Sequence, residues 1–144
     1  LSLSGENFID YHDVMNWFMM AVRQYKIYPL WIGYDRYSAS YLVQEMKQRF
    51  HMDDCWQGWN MTPAIRKLEG ELKDGLIKIG TNDLLRVHLL DTALQKDSES
   101  RRVKIVKLYA TSHIDGTAAL LDALVVKDKW FGQIGEQLKN AKRG

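Results

Sequence analysis

The sequence predicts an α/β domain whose central mixed sheet is flanked by helices on both faces. A short apolar run at residues 30–34 has the length and composition of a buried strand. The segments on either side of this run place apolar residues at helical spacing. Residues 103–109 alternate apolar and basic side chains, which is typical of a hairpin strand, and another helical segment follows them.

The first helix is predicted to begin after Asp10, whose side chain can cap the free N–H groups of its first turn. It should end before Pro29, because the residue that precedes a proline avoids the α region. The apolar strand at residues 30–34 comes next and has Asp35 at its C-terminal end. Residues 38–50 then return to helical spacing, which predicts a second helix.

The middle of the chain predicts one weak strand and two helices. Residues 55–56 are a weak strand prediction. Thr62 and Pro63 mark a helix start, with threonine as the N-cap and proline in the first turn, and Gly75 closes that helix. Asn82 is expected to cap a short fourth helix.

The last third predicts a β-hairpin followed by helices. Its strands are expected at residues 91–94 and 103–109, with a polar turn between them. Ile114 starts the last core helix. We therefore expect a domain over residues 1–127 and a basic amphipathic helical tail over residues 128–144.

Composition excludes several classes of protein. The formal net charge is +2, so nothing in the charge balance marks a strongly basic DNA reader. There is no Walker loop and no Cys/His spacing typical of a zinc site. The single Cys55 favours a reducing compartment, and no signal peptide or membrane-spanning run is present. Because the chain starts at Leu1, we expect it to be a piece of a longer protein.

Two carboxylates are the best candidates for chemistry. Asp35 ends a buried strand, and sites in open α/β sheets form beyond the carboxyl ends of strands. Asp115 begins a helix whose small side chains at residues 116–119 would let it pack close to the sheet, which would bring Asp115 to the same rim. Carboxylates that converge at a rim suit Mg²⁺ or Mn²⁺, and a pair of such ions can cleave a phosphodiester.

Asp122 is a further candidate because it lies on the same helix face as Asp115, about 10 Å further along. It could serve a second ion or simply face solvent. Structural interpretations stay open for the other acids too, since Asp35 would make a good N-cap and Asp115 would favour the helix dipole. Likewise, Lys104 and Lys107 fit a solvated strand face, and His113 fits an exposed loop.

Five segments, in order and at the right spacing, resemble the nuclease domain of phage terminase large subunits. They are Ile-Gly-Tyr-Asp-Arg-Tyr at 32–37, Trp-Gln-Gly-Trp-Asn-Met-Thr-Pro-Ala at 56–64, Gly-Glu-Leu-Lys-Asp-Gly-Leu-Ile at 70–77, Asn-Asp-Leu-Leu-Arg-Val-His at 82–88 and Ile-Asp-Gly-Thr-Ala-Ala-Leu-Leu-Asp-Ala-Leu at 114–124. The resemblance as a whole runs from about residue 5 to residue 126.

The resemblance implies a partial RNase H-like fold and two-metal cleavage of concatemeric double-stranded DNA. Asp35 falls on the family's second catalytic acid and Asp115 on its third, so both would ligate Mg²⁺ or Mn²⁺. Lys107 falls on a basic hairpin position and would contact DNA, with Lys104 and His113 as further candidates. The implied partners are the small terminase subunit and the portal protein, and the implied location is the host cytoplasm.

The sequence departs from the family pattern in three places. The family's first catalytic aspartate lies on a strand that would precede this sequence, so we expect this chain to bind metal poorly and to cut slowly or not at all. His113 stands where the family commonly has a basic residue, and Asp91 stands where it has asparagine.

Two other functions remain open at this stage. One is a non-catalytic module that docks on the portal or the small subunit through its Trp/Tyr surface and its tail. The other is a different RNase H-like nuclease, such as a Holliday-junction resolvase, although the Gln57-Gly58 and Thr62-Pro63 elements argue against it.

Overall fold

A computed structural model describes residues 10–37 and 40–143. Helices and strands are both present within these residues, which confirms the α/β class. In chain order the elements are α1 (Tyr11–Tyr25), β1 (Ile32–Asp35), α2 (Ser40–Met46), β2 (Met52–Cys55), α3 (Thr62–Lys73), α4 (Asp83–Leu90), β3 (Thr92–Lys96), β4 (Val103–Lys107), α5 (Asp115–Lys129) and α6 (Phe131–Arg143), with a 3-10 turn at Gly58–Met61 before α3. None of the described helices is long and apolar enough to cross a membrane.

The predicted caps of α1 and α4 are confirmed. The Asp10 side chain accepts a hydrogen bond of 2.9 Å from the N–H of His12, and the Asn82 side chain accepts one of 3.0 Å from the N–H of Leu85. Lys26 ends α1 in the left-handed region, at φ 56°, so the helix stops before Pro29 as expected. The predicted start of the second helix at residues 38 and 39 lies outside the described residues.

The strands pair in two separate ladders. β1 and β2 run parallel with Asp35 opposite Cys55, and α2 forms the crossover between them. β3 and β4 form the predicted antiparallel hairpin, with Thr92 opposite Lys107. Parallel and antiparallel pairing are therefore both present, as expected for a mixed sheet. Within the described residues, however, the two kinds of pairing belong to two separate two-stranded sheets.

Thr62 is not the N-cap that the sequence predicted. It is the first residue of α3, and Met61 occupies the cap position without a side-chain hydrogen bond. The Thr62 hydroxyl instead lies 2.7 Å from the carbonyl oxygen of Trp59 and 3.0 Å from that of Val103, and it accepts the N–H of Val103 at 3.0 Å. These contacts with β4 are between segments distant in sequence, which explains why the local pattern assigned the hydroxyl to the helix end.

The core lies between α3, β4 and α5. Its buried members are Met61, Ile65, Leu68, Val103, Leu121 and Leu124. Burial of several such side chains, each contributing about 1.5–3 kcal/mol, holds α5 against the rest of the domain. The position of α5 also fixes where Asp115 and Asp122, two of the predicted site residues, lie in the fold.

Gly33 allows α5 to pack closely along β1. A Cβ atom at residue 33 would lie 2.7 Å from the carbonyl oxygen of Asp122 and 3.1 Å from Cγ1 of Val126. At the far end of the helix, Trp130 stacks on Trp31 with ring centroids 4.1 Å apart. The helix therefore runs opposite to β1, and its first turn lies toward the strand's C-terminal end. Gly33 therefore contributes to the close packing of α5 on β1, and the part predicted for the small side chains at residues 116–119 stays a prediction.

The C-terminal segment is helical, as predicted. α5 continues to Lys129, across the expected boundary at residue 127, and α6 follows directly. Asp53 on β2 accepts hydrogen bonds from Lys129 Nζ at 2.7 Å and from Trp130 Nε1 at 2.8 Å. The division into a domain and a tail stays a prediction.

Candidate metal and DNA site

Asp35 ends β1 with its carboxylate already oriented. Its Oδ1 atom accepts a hydrogen bond of 2.9 Å from the N–H of Tyr37 in the turn after the strand. A short local bond of this kind is the usual way in which aspartate stabilises a turn. It leaves Oδ2 available for another partner, at the carboxyl end of a parallel strand, where the sequence predicted a site.

Asp122 lies close to Asp35 and does not face solvent. Its side chain is only 7% exposed, and its Oδ1 accepts a hydrogen bond of 2.8 Å from the side-chain amide of Gln57. Burial raises the pKa of Asp122, and the nearby charge of Asp35 raises it further, whereas the bond from Gln57 acts in the opposite direction. Cys55, which pairs with Asp35 in the ladder, has its Sγ 3.9 Å from the carbonyl oxygen of Asp122, so both acids lie in the region where β1 ends and α5 packs on it.

Asp115 is an exposed residue in the first turn of α5. The N–H of the next residue, Gly116, donates a hydrogen bond of 2.8 Å to Nδ1 of His88 on α4, so this histidine caps the helix. A Cβ atom at residue 116 would lie 2.9 Å from the same nitrogen, and only glycine leaves the ring room to approach. Asp115 thus stands about 10 Å along the helix from Asp122, and the hydrogen bond from the N–H of Gly116 to His88 stabilises the turn that carries it.

Cys55 and Gln57 are parts of the site that residue patterns alone did not single out. Cys55 is 2% exposed, and its Sγ lies 3.9 Å from the carbonyl oxygen of Asp122. Burial, followed by the charges of Asp122 and Asp53, raises the pKa of this thiol to about 12. Gln57 had one indication in the sequence, since it belongs to the Gln-Gly element of the resemblance.

A second acidic group lies on the neighbouring strand. Asp53 and Asp54 line a cleft of about 670 Å³ together with Trp56, Asn60 and Lys129. Lys129 forms an ion pair with Asp53, with its Nζ 2.7 Å from the carboxylate. Asp54 lies 3.6 Å from Nε of Arg36, which directly follows Asp35.

The basic candidates lie on and beside the hairpin. Lys107 is exposed at the end of β4, and Lys104 Nζ lies 4.8 Å from the ring centroid of Trp59. His113 is exposed, with its ring 6.4 Å from that of His88. β3 contacts α5 through the hydroxyls of Thr92 and Thr117, which are 2.8 Å apart, so the hairpin is fastened to the helix that carries the acids.

The acidic donors suit a hard divalent ion, but the set is small. Carboxylate oxygens are the ligands that Mg²⁺ and Mn²⁺ prefer. Asp35 and Asp122 each have one carboxylate oxygen engaged by a neutral N–H donor and a second oxygen without such a bond. Within residues 10–37 and 40–143, no three His, Cys, Asp or Glu side chains are grouped closely enough to hold a metal ion. A further ligand is needed for a complete site.

Comparison with known proteins identifies the family. Residues 4–129 match the sequence model for the terminase large subunit, endonuclease domain. The crystal structure of the HK97 bacteriophage large terminase has a similar fold, with a TM-score of 0.68 and 22% identity over 81% of this chain. The chain spans 24% of that terminase's length, and no curated protein matches it in sequence. Its α/β fold is RNase H-like, and the chain belongs to the endonuclease-domain family of terminase large subunits.

Proposed function

We propose that this domain cuts concatemeric double-stranded DNA during phage genome packaging, by Mg²⁺- or Mn²⁺-dependent hydrolysis of phosphodiester bonds. The observation that carries the proposal is that the buried Asp122 lies against Cys55, the ladder partner of Asp35, at the end of β1. Buried like charges are costly, and a bound cation is the usual compensation. Family membership supports a nuclease role for the same rim.

Each acid has a distinct part in the proposal. Asp35 ligates metal through Oδ2, because the N–H of Tyr37 engages Oδ1. Asp115, placed on the family's third acid by the resemblance, ligates from the first turn of α5, and Asp122 is the further ligand nearest Asp35. A pair of ions bound there would activate water and stabilise the leaving oxygen.

The basic residues contribute DNA binding without sequence reading. Lys107 contacts the phosphate backbone from the end of β4, and Lys104 and His113 are further contacts. Contacts of this kind position the duplex and leave the choice of site to another component. We propose the small terminase subunit and the portal protein as partners, and the host cytoplasm as the place of action.

Plasmid cleavage tests the proposal. The chain should be extended upstream to include the family's first catalytic strand, supplied with Mn²⁺, and compared with Asp35→Asn and Asp115→Asn variants. Both variants should lose cleavage to background. Asp128→Asn is a matched control, because Asp128 lies on α5 but pairs with Lys67 at 2.6 Å on the surface. Undiminished cutting by both acid variants would overturn the proposal.

One observation favours a docking function as the second candidate. Trp17, Tyr25 and Tyr28 are each about half exposed or more, and they surround the C-terminal half of α1 and the segment after it. Exposed aromatic groups of this kind are enriched in protein interfaces. A Trp17→Ala variant tests this candidate. Loss of portal binding with normal plasmid cleavage would show that the two functions coexist, whereas retention of portal binding would remove the docking candidate.

A further inference from the structure

The residues that follow β1 and β2 form a pair next to the acids. Asp35 lies opposite Cys55 in the parallel ladder, and the N–H of Arg36 donates a hydrogen bond of 3.2 Å to the carbonyl oxygen of Cys55. The ladder thus extends one step beyond β1, and Arg36 comes to lie beside Trp56. The guanidinium carbon of Arg36 is 3.9 Å from the ring centroid of Trp56, which is the geometry of a cation–π contact.

The Arg36 guanidinium is held in place but most of its donors stay available. Nε lies 3.6 Å from Asp54, and the indole of Trp56 is near one face of the group. Arginine carries five N–H donors in a planar fork. Among residues 10–37 and 40–143, no hydrogen bond or other ion pair engages its terminal nitrogens. The side chain is 42% exposed, so a ligand from solvent can reach it.

Stability alone gives little reason for this arrangement. Both partners of the Arg36–Asp54 pair are about two-fifths exposed, and ion pairs at such positions typically contribute about 0–1 kcal/mol. The indole of Trp56 is itself 53% exposed, which is unusual for so large an apolar group. A partner that arrives from solvent would explain why both groups stay accessible.

The surrounding charge requires a cation if DNA is to approach. Asp35, Asp54 and Asp122 lie at or near the carboxyl end of the β1–β2 sheet, and their charges repel phosphate. Lys129, the cation that lines the adjoining cleft, is paired with Asp53. Arg36 directly follows Asp35, with its Cα about 3.8 Å from that of Asp35, and its terminal nitrogens have no partner among the described residues.

We propose that Arg36, oriented by Trp56 and Asp54, binds the DNA phosphate adjacent to the bond that is cut at Asp35. This inference rests on the proposed nuclease function and assigns a substrate contact within it. The terminal nitrogens of Arg36 form two parallel hydrogen bonds to the phosphate oxygens, a geometry that guanidinium provides and ammonium does not. The contact fixes the strand relative to the acids and reads no base.

The salt dependence of DNA binding tests this contact. Affinity for a short DNA duplex is measured without divalent ions, so that no strand is cut, over a series of salt concentrations. Loss of one phosphate contact should reduce the slope of log K against log salt by about 0.9. We expect this reduction in Arg36→Ala. Arg36→Lys and Trp56→Leu should keep the slope but bind more weakly, because the charge remains while the fork or its support is lost.

Arg23→Ala is the matched control, since Arg23 is an exposed arginine on α1. Its slope should equal that of the unsubstituted chain. An unchanged slope in Arg36→Ala, or no measurable DNA binding by the unsubstituted chain at low salt, would overturn the inference. Should Asp35→Asn abolish cleavage while Arg36→Ala keeps the original slope, the inference falls and the nuclease function stands. Thermal unfolding of each variant verifies that it is folded.

Discussion

The side-chain amide of Gln57 donates a hydrogen bond of 2.8 Å to Oδ1 of Asp122 and so links the turn after β2 to the middle of α5. The two residues are 65 positions apart in the sequence. Asp122 also meets the strand through its backbone, whose carbonyl oxygen faces Gly33 and Cys55. One helical residue therefore determines how α5 sits on β1 and contributes a carboxylate to the candidate site.

Replacement of Gln57 by leucine should destabilise the folded chain. The Asp122 carboxylate would remain buried without its amide donor, and loss of a hydrogen bond to a charged group typically costs about 1.5–3 kcal/mol. Urea unfolding would measure the change in the free energy of unfolding. Gln48→Leu, at an exposed position after α2, is the control and should change it little. Equal losses in the two variants would contradict this interpretation of the bond.

Asp122→Asn should change the pH dependence of stability. Burial, together with Asp35, raises the pKa of Asp122 in the folded chain, so the folded state keeps this proton to a higher pH than the unfolded state does. Protonation of Asp122 therefore stabilises the folded state below the ordinary pKa of 3.8. This stabilisation is lost as the pH rises through the raised pKa of Asp122 in the folded chain. Asparagine keeps an acceptor for Gln57 and carries no charge.

In EDTA, the variant should therefore be more stable than the original chain near neutral pH. The difference should shrink as the pH falls toward 3.8, the ordinary pKa of the group. Free energies of unfolding measured across this range would test the expectation. A stability difference of the opposite sign near neutral pH would show that the Asp122 carboxylate is already well compensated in the folded chain.

Gly33→Ala tests the contact between β1 and α5. The added methyl group would lie 2.7 Å from the Asp122 carbonyl oxygen, which is backbone and cannot rotate away. Overpacking of this kind typically costs about 1–3 kcal/mol. Gly70→Ala is the matched control, because a Cβ there meets nothing within 4 Å and alanine favours the α3 helix by about 1 kcal/mol over glycine. The midpoint temperature of thermal unfolding should fall in Gly33→Ala and rise in Gly70→Ala.

His88→Ala should weaken the start of α5. The N–H of Gly116 would lose its acceptor, and loss of a helix cap costs about 0.5–2 kcal/mol. Because Asp115 lies in the same turn, Mn²⁺-dependent cleavage by the upstream-extended chain should fall as well. His88→Asn retains a hydrogen-bond acceptor, so it should recover part of the lost stability and part of the lost cleavage. His12→Ala, at an exposed position of α1, should reduce neither stability nor cleavage. Normal stability and cleavage in His88→Ala would exclude a capping role.

Local chemistry explains which elements the sequence predicted. Asp10 and Asn82 cap the helices that follow them through hydrogen bonds within three residues, so the pattern of nearby residues was sufficient. Strand β2 was harder, because Met-Asp-Asp-Cys has little intrinsic preference for a strand. Its extended form depends on pairing with β1, which no local window contains. The hydroxyl of Thr62 was misassigned for the same reason, since Val103 lies 41 residues away.

The candidate site was predictable only in part. The position of Asp35 after an apolar strand indicated a rim, and the rule that sites form beyond strand ends needs no partner residue. Helix periodicity places Asp122 on the same face of the helix as Asp115. It does not show which residues pack against that face, so it cannot decide whether Asp122 faces solvent or the site. The structure shows that the neighbours are Gln57, Cys55 and Asp35. Such neighbours arise from packing between distant segments.

The buried thiol of Cys55 makes the chain convenient for site-directed labelling. It is the one cysteine of the sequence, and with a pKa of about 12 it stays protonated at neutral pH, whereas maleimide reagents react with thiolates. A cysteine introduced at an exposed position such as Tyr37 or Leu138 would therefore take a fluorophore or spin label selectively. Distances between such probes could be followed in solution without first removing the native cysteine.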